Sequence, residues 1–187
     1  MISLVILLKS NYKEIAAVRE ALVGERIESV TYRQTEHGGL LGIPSEACHE
    51  VDLDVVLGIP DGVMSFTWER DDLIEGISIS RAMGVPSVEG VINVDAGQSP
   101  QGNMLLGQRI SSVNFGWQVS EVDCPESLWS IRLVLASGAS VVLALGELGG
   151  DSLPTYFPDS LLVIFDEQTA RSYTHPGVDG SAWASGA

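Results

Sequence analysis

The sequence predicts a mainly β protein with one N-terminal helix. Two duplicated antiparallel four-strand meanders pack as a sandwich or incomplete barrel about a pseudo-two-fold. Three observations predict it. From Gly24 onward, short β-branched and aromatic runs are separated by Gly, Pro and Asp turns. The run Leu161-Leu-Val-Ile-Phe165 follows the turn Tyr156-Phe-Pro-Asp159 and is apolar on both faces, as a doubly covered strand is. Finally, Gly24-Glu-Arg-Ile-Glu-Ser-Val-Thr-Tyr32 matches Gly107-Gln-Arg-Ile-Ser-Ser-Val-Asn-Phe115, with Leu22 and Leu105 just before each glycine.

Composition bounds the rest. A chain of 187 residues suits one domain and buries enough surface to need no disulfide or metal staple. Its 25 acidic and 10 basic residues give a net charge of −15. That balance repels nucleic acid and anionic membranes and attracts a basic partner. The two cysteines, Cys48 and Cys124, have no metal-ligand or redox spacing, so reduced thiols in a cytoplasm are expected. Met1–Leu8 lacks the basic start of a signal peptide, and no run approaches the length of a bilayer span.

The elements follow in order. Ile2–Leu8 is a buried strand. Asn11 caps a helix over Tyr12–Val23, with Glu14 completing a capping box and Gly24 ending it. Ile27–Tyr32 alternates as a strand. Val51–Leu57 and Val63–Trp68 form a hairpin about Gly58-Ile-Pro-Asp-Gly62, and Ile74–Ser80 closes the first unit. Residues 83–103 are a loop-rich connection with a short strand at Val91–Val94. The second unit repeats the order with Gly107–Phe115, Trp129–Leu135, Ser140–Leu145 and Leu161–Phe165. The domain spans residues 1–171, built of repeats at about 24–80 and 107–166. Their spacing of about 80 residues is well above the usual solenoid period, so a pseudo-two-fold pair is expected. The tail, residues 172–187, is rich in Ser, Gly and Ala and is expected to be flexible.

Two residue sets are candidate sites. Glu50, Asp52 and Asp54 alternate along one strand and so share its outer face, at about 7 Å between successive members. Asp71 and Asp72, from the next turn, would extend that acidic face. It reads as a docking surface for a basic protein, a calcium site, a pair of acids for hydrolysis, or a solvated face that blocks edge pairing. The second set is Trp117, Trp129, Tyr156 and Asp159, aromatics beside acids that would line a small-ligand pocket or close the core. Cys48 and His49 are adjacent on an extended segment and point to opposite sides, which makes a poor dyad. No cofactor or metal motif is present. The expected function is a non-enzymatic acidic binding protein, docking a basic partner as an immunity or inhibitor protein would, by analogy of class alone. A small-ligand-binding β module and a paired-carboxylate hydrolase are the alternatives. A homodimer contact is a further candidate cover for the second unit.

Overall fold

The computed structural model describes residues 6–36, 47–178 and 180–183. Helix α1 (Tyr12–Leu22) buries Val18 and Leu22, and its Arg19 guanidinium lies 5.3 Å from the centroid of the Phe115 ring. Gly24, with φ +91°, turns the chain out of it. Asn11 does not cap the helix through its side chain. Its Oδ1 accepts instead from the backbone of Leu8 at 2.8 Å, and its own carbonyl takes the Ile15 N–H.

Strands β1 (Ser29–Thr35), β2 (Cys48–Val51), β3 (Asp54–Ile59), β4 (Gly62–Asp71), β5 (Ile74–Ala82) and β6 (Val91–Asp95) come first. After a short helix α2 (Pro100–Asn103) come β7 (Ile110–Val119), β8 (Glu126–Leu135), β9 (Ser140–Leu145), β10 (Glu147–Leu148), β11 (Pro154–Thr155), β12 (Leu161–Ile164) and α3 (Glu167–Ser172). The expectation of a single helix misses α2 and α3. Each is short, and α3 is started by Asp166, whose carboxylate accepts from Thr169 N–H at 2.6 Å. None of the described helices is long and apolar enough to cross a membrane.

Two five-stranded antiparallel sheets result. The first runs β5-β4-β3-β1-β6 and the second β2-β12-β9-β8-β7. Register places Tyr32, Val55, Phe66 and Ile79 in one row across the first sheet. Phe115, Ile131, Leu143, Val163 and His49 form a row across the second. These rows belong to one buried core, and the Tyr32 hydroxyl meets His49 Nδ1 at 2.9 Å to join them. Fully burying a side chain such as Phe66 contributes about 1.5–3 kcal/mol, so the rows carry much of the fold's stability. The segment Ile6–Lys9 threads between the sheets: Leu7 N–H donates to Ile77 O at 3.2 Å, and Leu128 N–H donates to Leu7 O at 2.8 Å. Ile6 and Leu8 each form a single bridge, to Ser78 and Ser127. The rest of the expected N-terminal strand lies outside the described residues.

The expected strand Val51–Leu57 is broken. Val51 ends β2 in the second sheet and Asp54 begins β3 in the first, so the chain changes sheets across Asp52 and Leu53. The matched glycine segments lie against each other. Gly24 N–H donates to Ile110 O at 2.8 Å and Gly107 N–H to Ile27 O at 2.7 Å. Ile27 N–H donates to Gln108 O at 2.9 Å and Ile110 N–H to Glu25 O at 3.0 Å, around an Arg26–Arg109 bridge.

Both faces of the second sheet are covered. One faces the first sheet. The other carries α3 and the segment after it, where Tyr173, His175 and Ala182 are buried. The expected loose tail therefore differs from the described part of this segment. Its aromatics, Tyr173 and Trp183, dock on the sheet and outweigh the small residues between them.

Candidate functional site

The break after Val51 scatters the acids that alternation placed on one face. Glu50 stays with the second sheet, where its Oε2 accepts from Leu148 N–H at 2.8 Å. Asp52 sits at the sheet change. Its carboxylate accepts from Thr35 N–H at 3.2 Å and Thr35 Oγ1 at 3.0 Å, and its carbonyl accepts from Trp68 Nε1 at 2.6 Å. Asp54 is buried on the first sheet and ion-paired with Arg33. Each of the three is bound into the fold, so they are not free to act as a pair of catalytic acids.

Asp71 and Asp72 go elsewhere, to an exposed turn between β4 and β5. That turn is held against the turn between β7 and β8 through Glu75. Glu75 N–H donates to Ser120 Oγ at 2.9 Å. The Glu75 carbonyl accepts from Gln118 Nε2 and Ser127 Oγ, both at 2.6 Å, and from Ser120 Oγ at 3.2 Å. Three donors on one carbonyl fix the two turns side by side. The Cys124 thiol adds a long contact to Leu73 O at 4.0 Å. The result is a sandwich end where Leu73 and Val122, 49% and 86% exposed, stand among the exposed acids Asp71, Asp72, Glu121 and Asp123.

The same glutamate reaches the aromatic set. Tyr156 donates its hydroxyl to Glu75 Oε2 at 2.6 Å. Burial, then the bonded Glu75 carboxylate, pushes the Tyr156 phenol well above its ordinary range, and exposed Asp159 adds to that. The His175 ring stands edge-on to Tyr156 with centroids 4.1 Å apart, and 5.4 Å from Trp129. Trp129 also meets Tyr173 at 5.5 Å and is almost fully buried, so it closes the core. Trp117 does not join them. It packs on Phe115, with centroids 5.8 Å apart. Glu75, Gln118 and His175 are the members of this end that sequence reasoning missed. Only the fold brings residues from β5, β7 and the C-terminal segment together, and no local pattern marks them.

Nucleophile chemistry finds no support at Cys48. The thiol is buried, and burial, with Glu50 nearby, pushes it up to about 12. Its neighbour His49 is spent on Tyr32 and stacks edge-on against Phe165 at 4.9 Å. Burial lowers the His49 imidazole, and the Gln101 side chain partly opposes this. Among the described residues, no three His, Cys, Asp or Glu side chains are grouped to hold a metal ion. His37 lies outside the described residues. A separate groove of about 820 Å³ runs between α1 and the β3–β4 turn, lined by Ala17, Ala21 and Ala82 with Glu20, Asp61 and Arg81. Comparison with protein-family models, curated proteins and solved structures finds no match to this chain.

Proposed function

We propose that the chain is a non-enzymatic acidic binding protein that docks a basic protein partner, in the manner of an immunity or inhibitor protein, through the β4–β5 and β7–β8 turns. The observation that carries this reading is the exposed pair Leu73 and Val122 set among Asp71, Asp72, Glu121 and Asp123 on turns fixed through Glu75. An apolar centre with a charged rim is the anatomy of a protein interface, and the rim steers an oppositely charged partner. Fixed turns lose little freedom on binding, which favours affinity.

The test is local charge reversal at constant net charge. The double variant Asp71→Lys with Glu121→Lys is compared with Glu28→Lys with Glu89→Lys, all four being exposed positions. A basic protein co-purified from the source cells at low salt is then titrated against each purified variant. The turn variant should lose at least tenfold in affinity while the control stays within about threefold, each tenfold being about 1.4 kcal/mol. Equal loss in both variants would show general charge attraction and remove the site.

A second reading, a small-ligand-binding β module, is favoured by one observation. Gln118 Oε1 and His175 Nε2 are buried near Tyr156 without a hydrogen-bond partner among the described residues. We further infer that the two meanders are duplicates related by a pseudo-two-fold. The reciprocal bonds of the glycine segments support it, since each bond joins positions equivalent to those joined by its counterpart. So does the strand order, β1-β3-β4-β5 beside β7-β8-β9-β12.

A further inference from the structure

The chain after α3 crosses the second sheet and is fastened along its length. Tyr173 donates its hydroxyl to Leu145 O. Ala182 N–H donates to Tyr173 O at 2.7 Å and Trp183 N–H to Ala170 O at 3.2 Å. Thr174 and Ser181 bridge, and the Trp183 ring holds the guanidinium groups of Arg132 and Arg171 at 4.2 and 5.2 Å. These contacts are all insensitive to pH near neutrality. One anchor is not.

His175 is 4% exposed and packs against Trp129 and Tyr156. Its Nδ1 accepts from Gly177 N–H at 2.9 Å, so the neutral ring carries its proton on Nε2. Nε2 is buried and meets no acceptor among the described residues. A second proton would have to go on Nδ1, pointing at the Gly177 N–H. The charged ring would lose one hydrogen bond, gain none, and remain among aromatic faces. The titratable group facing the ring is Tyr156. Behind it stands Glu75 of β5, whose carboxylate accepts the Tyr156 hydroxyl and lies 3.8 Å from Arg70. Asp159 acts on Tyr156 from its own turn, and Tyr173 packs on the far side through Trp129. No carboxylate is hydrogen-bonded to the imidazole among the described residues.

We infer that residues 173–178 and 180–183 form an acid-released strap with His175 as its trigger, and that release bares the Trp129 and Leu145 side of the second sheet as an apolar surface. This inference does not rest on the docking reading. Burial holds the His175 imidazole down to about 4, from its ordinary 6.5. The docked strap therefore favours the neutral ring. Its hold is complete above the ordinary value and weakens as pH falls toward the lowered one. The released-to-docked ratio should rise about tenfold per pH unit across that window, and about 300-fold in all.

Hydrogen exchange on the full chain between pH 7 and 4, corrected for intrinsic rates, tests this. Protection of the Ala182 and Trp183 amides should fall with that slope while Ile131 and Leu143 in the sheet stay protected. His175→Phe, which keeps a ring but cannot titrate, should flatten the dependence. Loss of sheet and strap protection together, or the same slope in His175→Phe, would overturn the strap. Should His175→Phe not fold, an NMR titration of wild-type His175 decides: an ordinary midpoint would equally overturn it.

Discussion

Asp54 shows how one residue changes meaning between sequence and structure. By alternation it belongs to a solvated acidic face. In the fold it is 6% exposed and paired with Arg33, itself 8% exposed. Two buried charges of opposite sign hold each other in place, and removing one strands the other without water. Asp54→Asn should therefore destabilise the protein by about 3–5 kcal/mol, the range for breaking a buried pair. A urea midpoint measures it, and a loss below about 1 kcal/mol, typical of an exposed site, would place the pair in water after all. Replacing Asp54 by Lys would then test folding rather than docking. Docking is better tested at Asp71 and Glu121, which stay exposed.

At the scale of elements, the corner between the sheets decides what alternation could not. Gln34 from β1 holds it: its Oε1 accepts from Asp52 N–H at 2.8 Å, and its Nε2 donates to Glu50 O at 3.5 Å. Gln34 is 3% exposed, so water cannot replace it. Gln34→Leu should leave the Asp52 N–H unbonded and cost about 1–3 kcal/mol. The same variant should speed exchange of the Asp52 and Leu53 amides before the rest of the sheets; uniform exchange would mean that the corner is held by something else. This corner explains which parts of the fold were legible. The helix at Tyr12, the hairpin turn at Gly62 and the doubly covered strand at Leu161 each carry their signal locally, in period and turn chemistry. The break at Asp52-Leu53 does not, because Val51 to Leu57 alternates smoothly through it. The bend is imposed by β1, across a tertiary contact. Glu75 was illegible for the same reason, since the donors that converge on it come from β7 and β8. The tail misled differently: small residues suggested looseness, while two aromatics and a buried histidine dock it.

On the scale of the whole molecule, the net charge of −15 sets a balance between attraction and repulsion. Three of the described ion pairs are surface pairs: Lys9–Glu126, Arg70–Glu75 and Arg171–Glu167. Each is worth about 0–1 kcal/mol, and salt weakens it. The buried Arg33–Asp54 pair is screened far less. Against these stands mutual repulsion among the unpaired acids, which compaction increases and an unfolded chain relieves. Raising sodium chloride from 0.01 to 0.1 M shortens the screening length from about 30 to about 10 Å. That reaches the many long-range repulsions before the few close attractions. The urea midpoint at pH 7 should therefore rise with this added salt, at unchanged slope. Near the isoelectric point of about 4.3 the repulsion is gone, and the same addition should leave the midpoint level or lower it. A midpoint that falls with salt at pH 7 would mean that close pairs outweigh the acidic surface. In that case the excess acids would be locally compensated, and their pull on a basic partner would be short-ranged.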